Sequence, residues 1–235
     1  MKKLAIFVEG QTEQVFVHRL INEIAGRKNL TVRLDQLQGG AKSERTISKV
    51  EVYDSEENVE YFVLVRDSAT DSRVLSDVQE SLEKLKENGF EKVIGLRDLY
   101  PLPIDKLPRV EQAISRVLSE PVLPAKIVVA VREIETWFLS ETAHFGNIDE
   151  KLTLELIKEK LSLDFQNLNF EDIEHPSDTL HEIYQLVGKA YKKSKRHVDR
   201  TVDALDYENV YLVLQGTLAS LGLLVSEIDS FLTKP

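Results

Sequence analysis

The stretch Leu4-Ala5-Ile6-Phe7-Val8-Glu9-Gly10-Gln11-Thr12-Glu13 leads from an apolar run into an acidic segment. An apolar run that ends at a glycine is typical of a buried strand followed by a turn. From Thr12 to Ala25, apolar residues recur at the spacing of an amphipathic helix. The sequence therefore predicts a strand over 4–8, a tight turn that Gly10 permits, and a helix over 12–25.

Further apolar runs have the character of strands, and most are continuous rather than alternating. They cover residues 30–34, 61–65, 93–96 and 127–131. Continuous apolar strands fit a parallel sheet that is covered by helices on both faces. Helical patterns at 74–87 and 109–119 alternate with these strands. We therefore expect an α/β fold with a doubly wound, mainly parallel sheet.

The strand signal fades after residue 140. Helical patterns follow at 152–161, 178–191, 198–205 and 214–232, and no Gly/Ser-rich linker separates the two halves. The expected organisation is an α/β core over residues 1–140 and a helical C-terminal region over 141–235 that packs on the core.

The composition excludes several classes of function. The chain has a net charge of −10 and no cysteine, which rules out disulfides, thiolate zinc sites and cysteine nucleophiles. The absence of cysteine fits a reducing compartment, so a cytoplasmic location is expected. No apolar stretch approaches the roughly 20 residues of a membrane helix. The acidic balance argues against a protein that coats DNA nonspecifically, since such proteins are usually basic.

Carboxylates stand at or just after the ends of several predicted strands: Glu9, Asp67, Asp98 and Glu133. The carboxyl ends of parallel strands share one edge of a sheet, where ligands bind. Carboxylates gathered there repel one another, and a bound cation relieves that repulsion. Because Mg²⁺ prefers hard oxygen ligands, this edge is a candidate magnesium site.

The segment Phe7–Glu13 resembles the strand–EGxTE–helix signature of the Toprim superfamily, in the form found in OLD-type nucleases and related uncharacterised bacterial proteins. The segment Arg97-Asp98-Leu99-Tyr100 stands where Toprim-like proteins carry an Asp-x-Asp motif, and the segment 132–139 resembles their ELEAW-L element. The resemblance implies a Toprim-like fold over residues 4–140. It also implies Mg²⁺- or Mn²⁺-dependent cleavage of phosphodiester bonds, in phage defence or DNA processing and often with a protein partner.

Tyr100 departs from this pattern, because it replaces the second acid of Asp-x-Asp. Either Asp67 or Glu133 completes a metal site formed by Glu9 and Asp98, or the site is degraded. In the first case Glu9 or Glu13 is the candidate general base. In the second case the protein binds metal, nucleotide or nucleic acid without cutting. A third alternative is an assembly subunit whose acidic surface meets a basic protein.

Two further features bear on the site. Glu133 and Glu135 lie two positions apart, so either a strand or a helix would direct them apart, and only one is expected to enter the site. A basic cluster within residues 189–200 is a candidate contact for the phosphates of nucleic acid beside the acids, with a solvated helix end as the alternative. Its candidate binding residues are Lys192, Lys193, Lys195 and Arg196.

Overall fold

A computed structural model describes residues 1–40, 43–53, 58–70 and 73–233, and within them six strands form one sheet. The strands are β1 (Lys2–Val8), β2 (Leu30–Gly40), β3 (Ser43–Tyr53), β4 (Tyr61–Asp67), β5 (Lys92–Asp98) and β6 (Ala125–Ala130). Their order is β3-β2-β4-β1-β5-β6. Neighbouring strands are parallel, except that β3 runs antiparallel to β2.

Helices follow β1, β4, β5 and β6 along the chain and make up the C-terminal part. Those of the first 140 residues are α1 (Gln11–Ala25), α2 (Val74–Glu87), α3 (Leu107–Val117) and α4 (Glu135–Ser140). The later ones are α5 (His144–Ile148), α6 (Leu154–Leu161), α7 (Pro176–Gln185), α8 (Lys195–Ala204), α9 (Tyr207–Leu212) and α10 (Ala219–Thr233). Short 3₁₀ turns cover Ile104–Lys106, Phe170–Asp172 and Leu214–Gly216.

The sheet has a hydrophobic core on each face. Alternate side chains of β1 point to opposite faces: Ile6 packs in one cluster with α1, and Phe7 packs in the other with α2 and α3. The first cluster also contains Leu180 of α7 and Ile228 of α10, so it continues across the expected boundary at residue 140. The predicted doubly wound α/β sheet with a helical C-terminal part is thus confirmed, and it is consistent with a Toprim-like fold.

The strand β3 was not predicted. The strand predicted over 30–34 continues to Gly40, and β3 pairs back along it through two register shifts. Apolar side chains of β3 such as Ile47, Val50 and Val52 are 44–53% exposed. An edge strand of this kind lacks the continuous apolar run that marked the buried strands. The short helices α5 and α9 were missed as well.

The predicted role of Gly10 is wrong. Its φ of −161° and ψ of −166° are those of extended backbone, which any residue adopts. A Cβ added there would lie 3.5 Å from Oε2 of Glu13, an ordinary contact distance. The passage from β1 to α1 therefore needs no special glycine conformation.

Gly222 is a position where a side chain does not fit. A Cβ added there would lie 2.3 Å from the carbonyl oxygen of Gln215, a backbone atom that cannot rotate away. We expect Gly222→Ala to lower the free energy of unfolding by about 1–3 kcal/mol, as overpacking does, measured by urea denaturation. Gly146→Ala is the matched control, since no described atom lies within 4 Å of its added Cβ. Equal stability of the two variants would contradict the prediction.

No single helix among the described residues is long and apolar enough to span a membrane. Only one pair of helical segments reaches that length and composition among the described residues, and only when both are counted together. The segments are Tyr207–Gly216 and Ala219–Thr233, and the chain bends by 116° between them.

Candidate metal centre

The carboxyl ends of the central strands bring the predicted acids to one edge of the sheet. Val8 pairs with Asp67 on one side and with Leu96 on the other, so β1, β4 and β5 end together. The acids there are buried, with exposed fractions of 2–6%; they are Glu9, Asp67, Asp98 and Glu133. Glu13, in the first turn of α1, is buried as well. Burial of so many carboxylates demands compensating positive charge or protonation.

Three residues form what we call the acidic centre: Asp98, Glu133 and Glu135. Among the described parts of the chain, they are the one group of three or more acidic or histidine side chains placed so that they could share a metal ion. Each offers a carboxylate oxygen, and these oxygens lie within 4.8 Å of one another. Asp98 ends β5, and its Oδ1 accepts the backbone N–H of Ile134 at 3.0 Å. This bond ties the end of β5 to the segment that carries both glutamates.

The prediction that only one of Glu133 and Glu135 enters the site is wrong. Arg132 adopts a left-handed conformation with φ of 67°, which is uncommon for a residue with a side chain. The chain then leaves β6 in a turn, in which Thr136 donates its N–H to the carbonyl of Glu133 at 3.0 Å. Because Glu133 lies in this turn and Glu135 begins α4, the two residues do not share one strand or one helix, and their carboxylates converge.

Glu9 and Asp67 lie beside the acidic centre rather than within it. Oε1 of Glu9 accepts the backbone N–H of Asp98 at 2.9 Å. The Asp67 carboxylate accepts the N–H of Ala69 at 2.6 Å and the side-chain amide of Gln36 at 2.8 Å. These bonds hold Asp67 to its own loop and to β2.

The C-terminal region supplies partners that the sequence did not reveal. The hydroxyl of Tyr191 donates to Oε1 of Glu135 at 2.7 Å. Ser177, at the start of α7, donates its N–H and its hydroxyl to Oε2 of Glu133 at 3.1 and 2.9 Å. No motif marked Ser177 or Tyr191, although Tyr191 lies within the predicted basic cluster of residues 189–200. The site therefore draws on both the α/β core and the helical region.

Lys193 places its ammonium group in the acidic centre. Its Nζ lies 3.1 Å from Oε1 of Glu133 and 3.4 Å from Oε1 of Glu135. Lys195, also assigned to the basic cluster, pairs with Asp199 at 3.5 Å. Lys192 and Arg196 are exposed and form no ion pair with any described residue. Two of the four candidate phosphate contacts thus face acids of the protein itself.

The electrostatics of the site follow from burial and crowding. Burial, and then the Glu135 carboxylate, raise the pKa of Glu13 to about 7. Burial, with Glu13 and Glu9 nearby, raises the pKa of Asp98 well above its usual range. Burial lowers the pKa of Lys193, but the carboxylates around it outweigh burial, and the net effect is a raised pKa. The lysine is therefore charged at neutral pH.

The residues present fit a hard divalent cation. Oε2 of Glu135 has no hydrogen-bond partner among the described residues, although the side chain is completely buried. A buried carboxylate oxygen without a partner is costly, and a bound metal ion would satisfy it. A set of carboxylate oxygens suits Mg²⁺ or Mn²⁺.

The fold and the site define a mixed α/β protein with a buried acidic centre at the carboxyl edge of its sheet. The chain matches the family described as a domain of unknown function, DUF4276, over residues 8–210. The protein belongs to this family, and the match includes every residue of the acidic centre together with Tyr191 and Lys193. No curated protein and no solved structure matches the chain.

Proposed function

We propose that this protein is a Mg²⁺- or Mn²⁺-dependent enzyme that cleaves phosphodiester bonds, similar to the Toprim nucleases. The observation that carries the proposal is the unpartnered Oε2 of the fully buried Glu135, within a group of three carboxylates. The resemblance of Phe7–Glu13 to the EGxTE signature points to the same chemistry. Nucleic acid is the proposed substrate, with a smaller phosphoester as the alternative.

Residues in and beside the acidic centre have separate roles in this proposal. Asp98, Glu133 and Glu135 would hold the cation. When bound, the cation supplies a Lewis acid that polarises a phosphate oxygen and activates a water. Glu13, with a pKa of about 7, accepts a proton from the attacking water, since a general base works best when its pKa lies near the working pH. Glu9 fixes the end of β5 through the N–H of Asp98.

The departure at Tyr100 is compatible with this activity. Tyr100 is 43% exposed and its ring lies 6.3 Å from that of His175, so it offers no carboxylate to the centre. Glu135 supplies a third carboxylate from the following strand–helix connection. The centre therefore needs no second acid from the segment 97–100, and neither Glu9 nor Asp67 has to complete it.

Two other functions each have an observation in their favour. Lys193 already neutralises part of the acidic centre, which favours a protein that binds nucleotide or nucleic acid without cutting. The exposed apolar face of β3 favours an assembly role with a protein partner, because an unpaired edge strand is a template for association. The proposed context of phage defence or DNA processing, in the cytoplasm, rests on the Toprim resemblance and on the lack of cysteine.

Calorimetric titration with Mg²⁺ and with Mn²⁺ tests the proposal. We expect saturable binding to the wild type. Glu135→Gln is expected to weaken it at least about a hundredfold, because loss even of a group outside the metal's own ligands costs 10–100-fold. Glu159→Gln is the matched control, because Glu159 is exposed and pairs only with Lys160 among the described residues. Absence of binding to the wild type, or equal binding to Glu135→Gln, would overturn the assignment. Cleavage of single-stranded and duplex DNA and RNA is then assayed with the metal that binds.

A further inference from the structure

The ammonium of Lys193 lies where the acidic centre would receive a metal. It contacts Oε1 of Glu133 and Oε1 of Glu135, at 3.1 and 3.4 Å, and both residues belong to the group whose ligand oxygens lie within 4.8 Å of one another. A Mg²⁺ ion lies about 2.1 Å from its oxygen ligands. A metal that shared either oxygen with the ammonium would stand within about 5.5 Å of it, and two cations repel strongly at that distance.

The lysine is the partner that is able to leave. Its side chain is 46% exposed, whereas those of Glu133 and Glu135 are 8% and 0% exposed. A lysine that swings into water regains its hydration, but the buried carboxylates have no such escape. Departure of the lysine therefore leaves buried carboxylates that a divalent cation or protons must neutralise.

The backbone around Lys193 is held in place, so the change is confined to the side chain. The N–H of Tyr191 donates to Nδ1 of His181 at 3.1 Å, and the N–H of Lys192 donates to Nδ1 of His197 at 3.1 Å. The Tyr191 hydroxyl remains bonded to Glu135 independently of the lysine. Rotation of the long, flexible lysine stem needs none of these bonds to break.

We infer that Lys193 is the resident counter-ion of the acidic centre and that a divalent cation binds there only by displacing it. This inference rests on the proposed metal-dependent function and adds a residue that sets the metal affinity of the site. In the metal-free protein, the Lys193 ammonium occupies the acidic centre. Metal loading releases a positive charge at the mouth of the centre, where an anionic phosphate substrate would meet it.

The test compares the binding of Mn²⁺ and of Mg²⁺ to the wild type, Lys193→Met and Lys193→Arg by calorimetry. Lys193→Met removes the competing charge, so we expect its affinity to be at least about tenfold higher than that of the wild type. Lys193→Arg keeps a cation and is expected to stay near the wild type. Lys195→Met is the matched control, because Lys195 is exposed and pairs with Asp199 outside the centre. It is expected to leave the affinity unchanged.

A second measurement uses the wild-type protein, in case Lys193→Met folds poorly. Lysine acetylation with acetic anhydride, read by mass spectrometry, is expected to modify Lys193 several times faster when Mn²⁺ is present. The rate at Lys195 is expected to be the same with and without Mn²⁺. Metal binding to the wild type with no gain in Lys193→Met, or no change in the reactivity of Lys193, overturns the inference and leaves the proposed function standing. No metal binding to the wild type overturns the proposed function and the inference with it.

Discussion

Replacement of Glu141 by alanine is expected to lower the free energy of unfolding by about 3–5 kcal/mol, because each buried donor left without a partner costs about 1–3 kcal/mol. Glu141 is completely buried just after α4. Its carboxylate accepts the N–H groups of Ala143 and His144 at 3.0 and 2.9 Å, at the start of α5. It also accepts the N–H of Asp206 and the amide of Asn209, both at 3.3 Å, at the start of α9. One side chain thus caps two helices.

Urea denaturation of Glu141→Ala and of Asp206→Ala gives the comparison. Asp206 also caps α9, but it is exposed and accepts the N–H of Asn209 at 3.0 Å, so its loss is expected to cost about 1 kcal/mol. If both variants lost the same stability, Glu141 would be an ordinary cap and the prediction would be wrong. A native circular dichroism spectrum of both variants would show that the two free energies of unfolding refer to the same fold.

The contribution of Glu141 has its own dependence on pH. Burial raises its pKa, but the hydrogen bonds from His144 and from the N–H groups of Asp206 and Ala143 outweigh burial, so the pKa is lowered below 4.5. A carboxyl group whose pKa is lower in the folded state stabilises the protein above its unfolded pKa and ceases to do so as the pH falls. The Glu141 network is therefore intact at neutral pH and weakens under acid.

The sheet was predictable where its strands are buried on both faces. β1, β4 and β5 read as continuous apolar runs because helices cover them on each side. The edge strand β3 escaped prediction for the opposite reason, since its apolar residues such as Val50 and Val52 face outward and alternate with charged ones. A periodic pattern reports burial, and a strand that buries little leaves a weak signal.

The site was predictable only in part. Parallel topology alone brings Glu9, Asp67 and Asp98 to one edge of the sheet, and no detail of packing is required. The convergence of Glu133 with Glu135 depends instead on the left-handed backbone of Arg132, which no composition rule anticipates for an arginine. The contact of Lys193 with these acids depends on how the helical region returns to the sheet, and spacing along the chain carries no information about that return.

Raising the pH from about 4.5 to 7 is expected to lower the free energy of unfolding by about 3 kcal/mol through Glu13 alone. In the folded protein, burial and the neighbouring Glu135 raise the pKa of Glu13 from 4.5 to about 7. At pH values between 4.5 and about 7, Glu13 is ionised in the unfolded chain but still protonated in the folded protein. Stability falls with rising pH wherever the unfolded state binds fewer protons, so the penalty accumulates across this window and is complete above it.

The variant Glu13→Gln isolates this effect, because the amide keeps the size of the side chain and does not ionise. Its stability is expected to exceed that of the wild type by about 3 kcal/mol at pH 8 and to approach it near pH 4.5. Glu23→Gln, at an exposed position of the same helix, is expected to follow the wild-type curve. Asp98 and Glu135 also have raised pKa values, so a smaller slope of the same sign remains in Glu13→Gln. Curves of the wild type and Glu13→Gln that run parallel from pH 4.5 to 8, by urea denaturation without divalent metal, would show that folding does not raise the pKa of Glu13. The match between its pKa and the working pH, on which its role as general base rests, would then be lost.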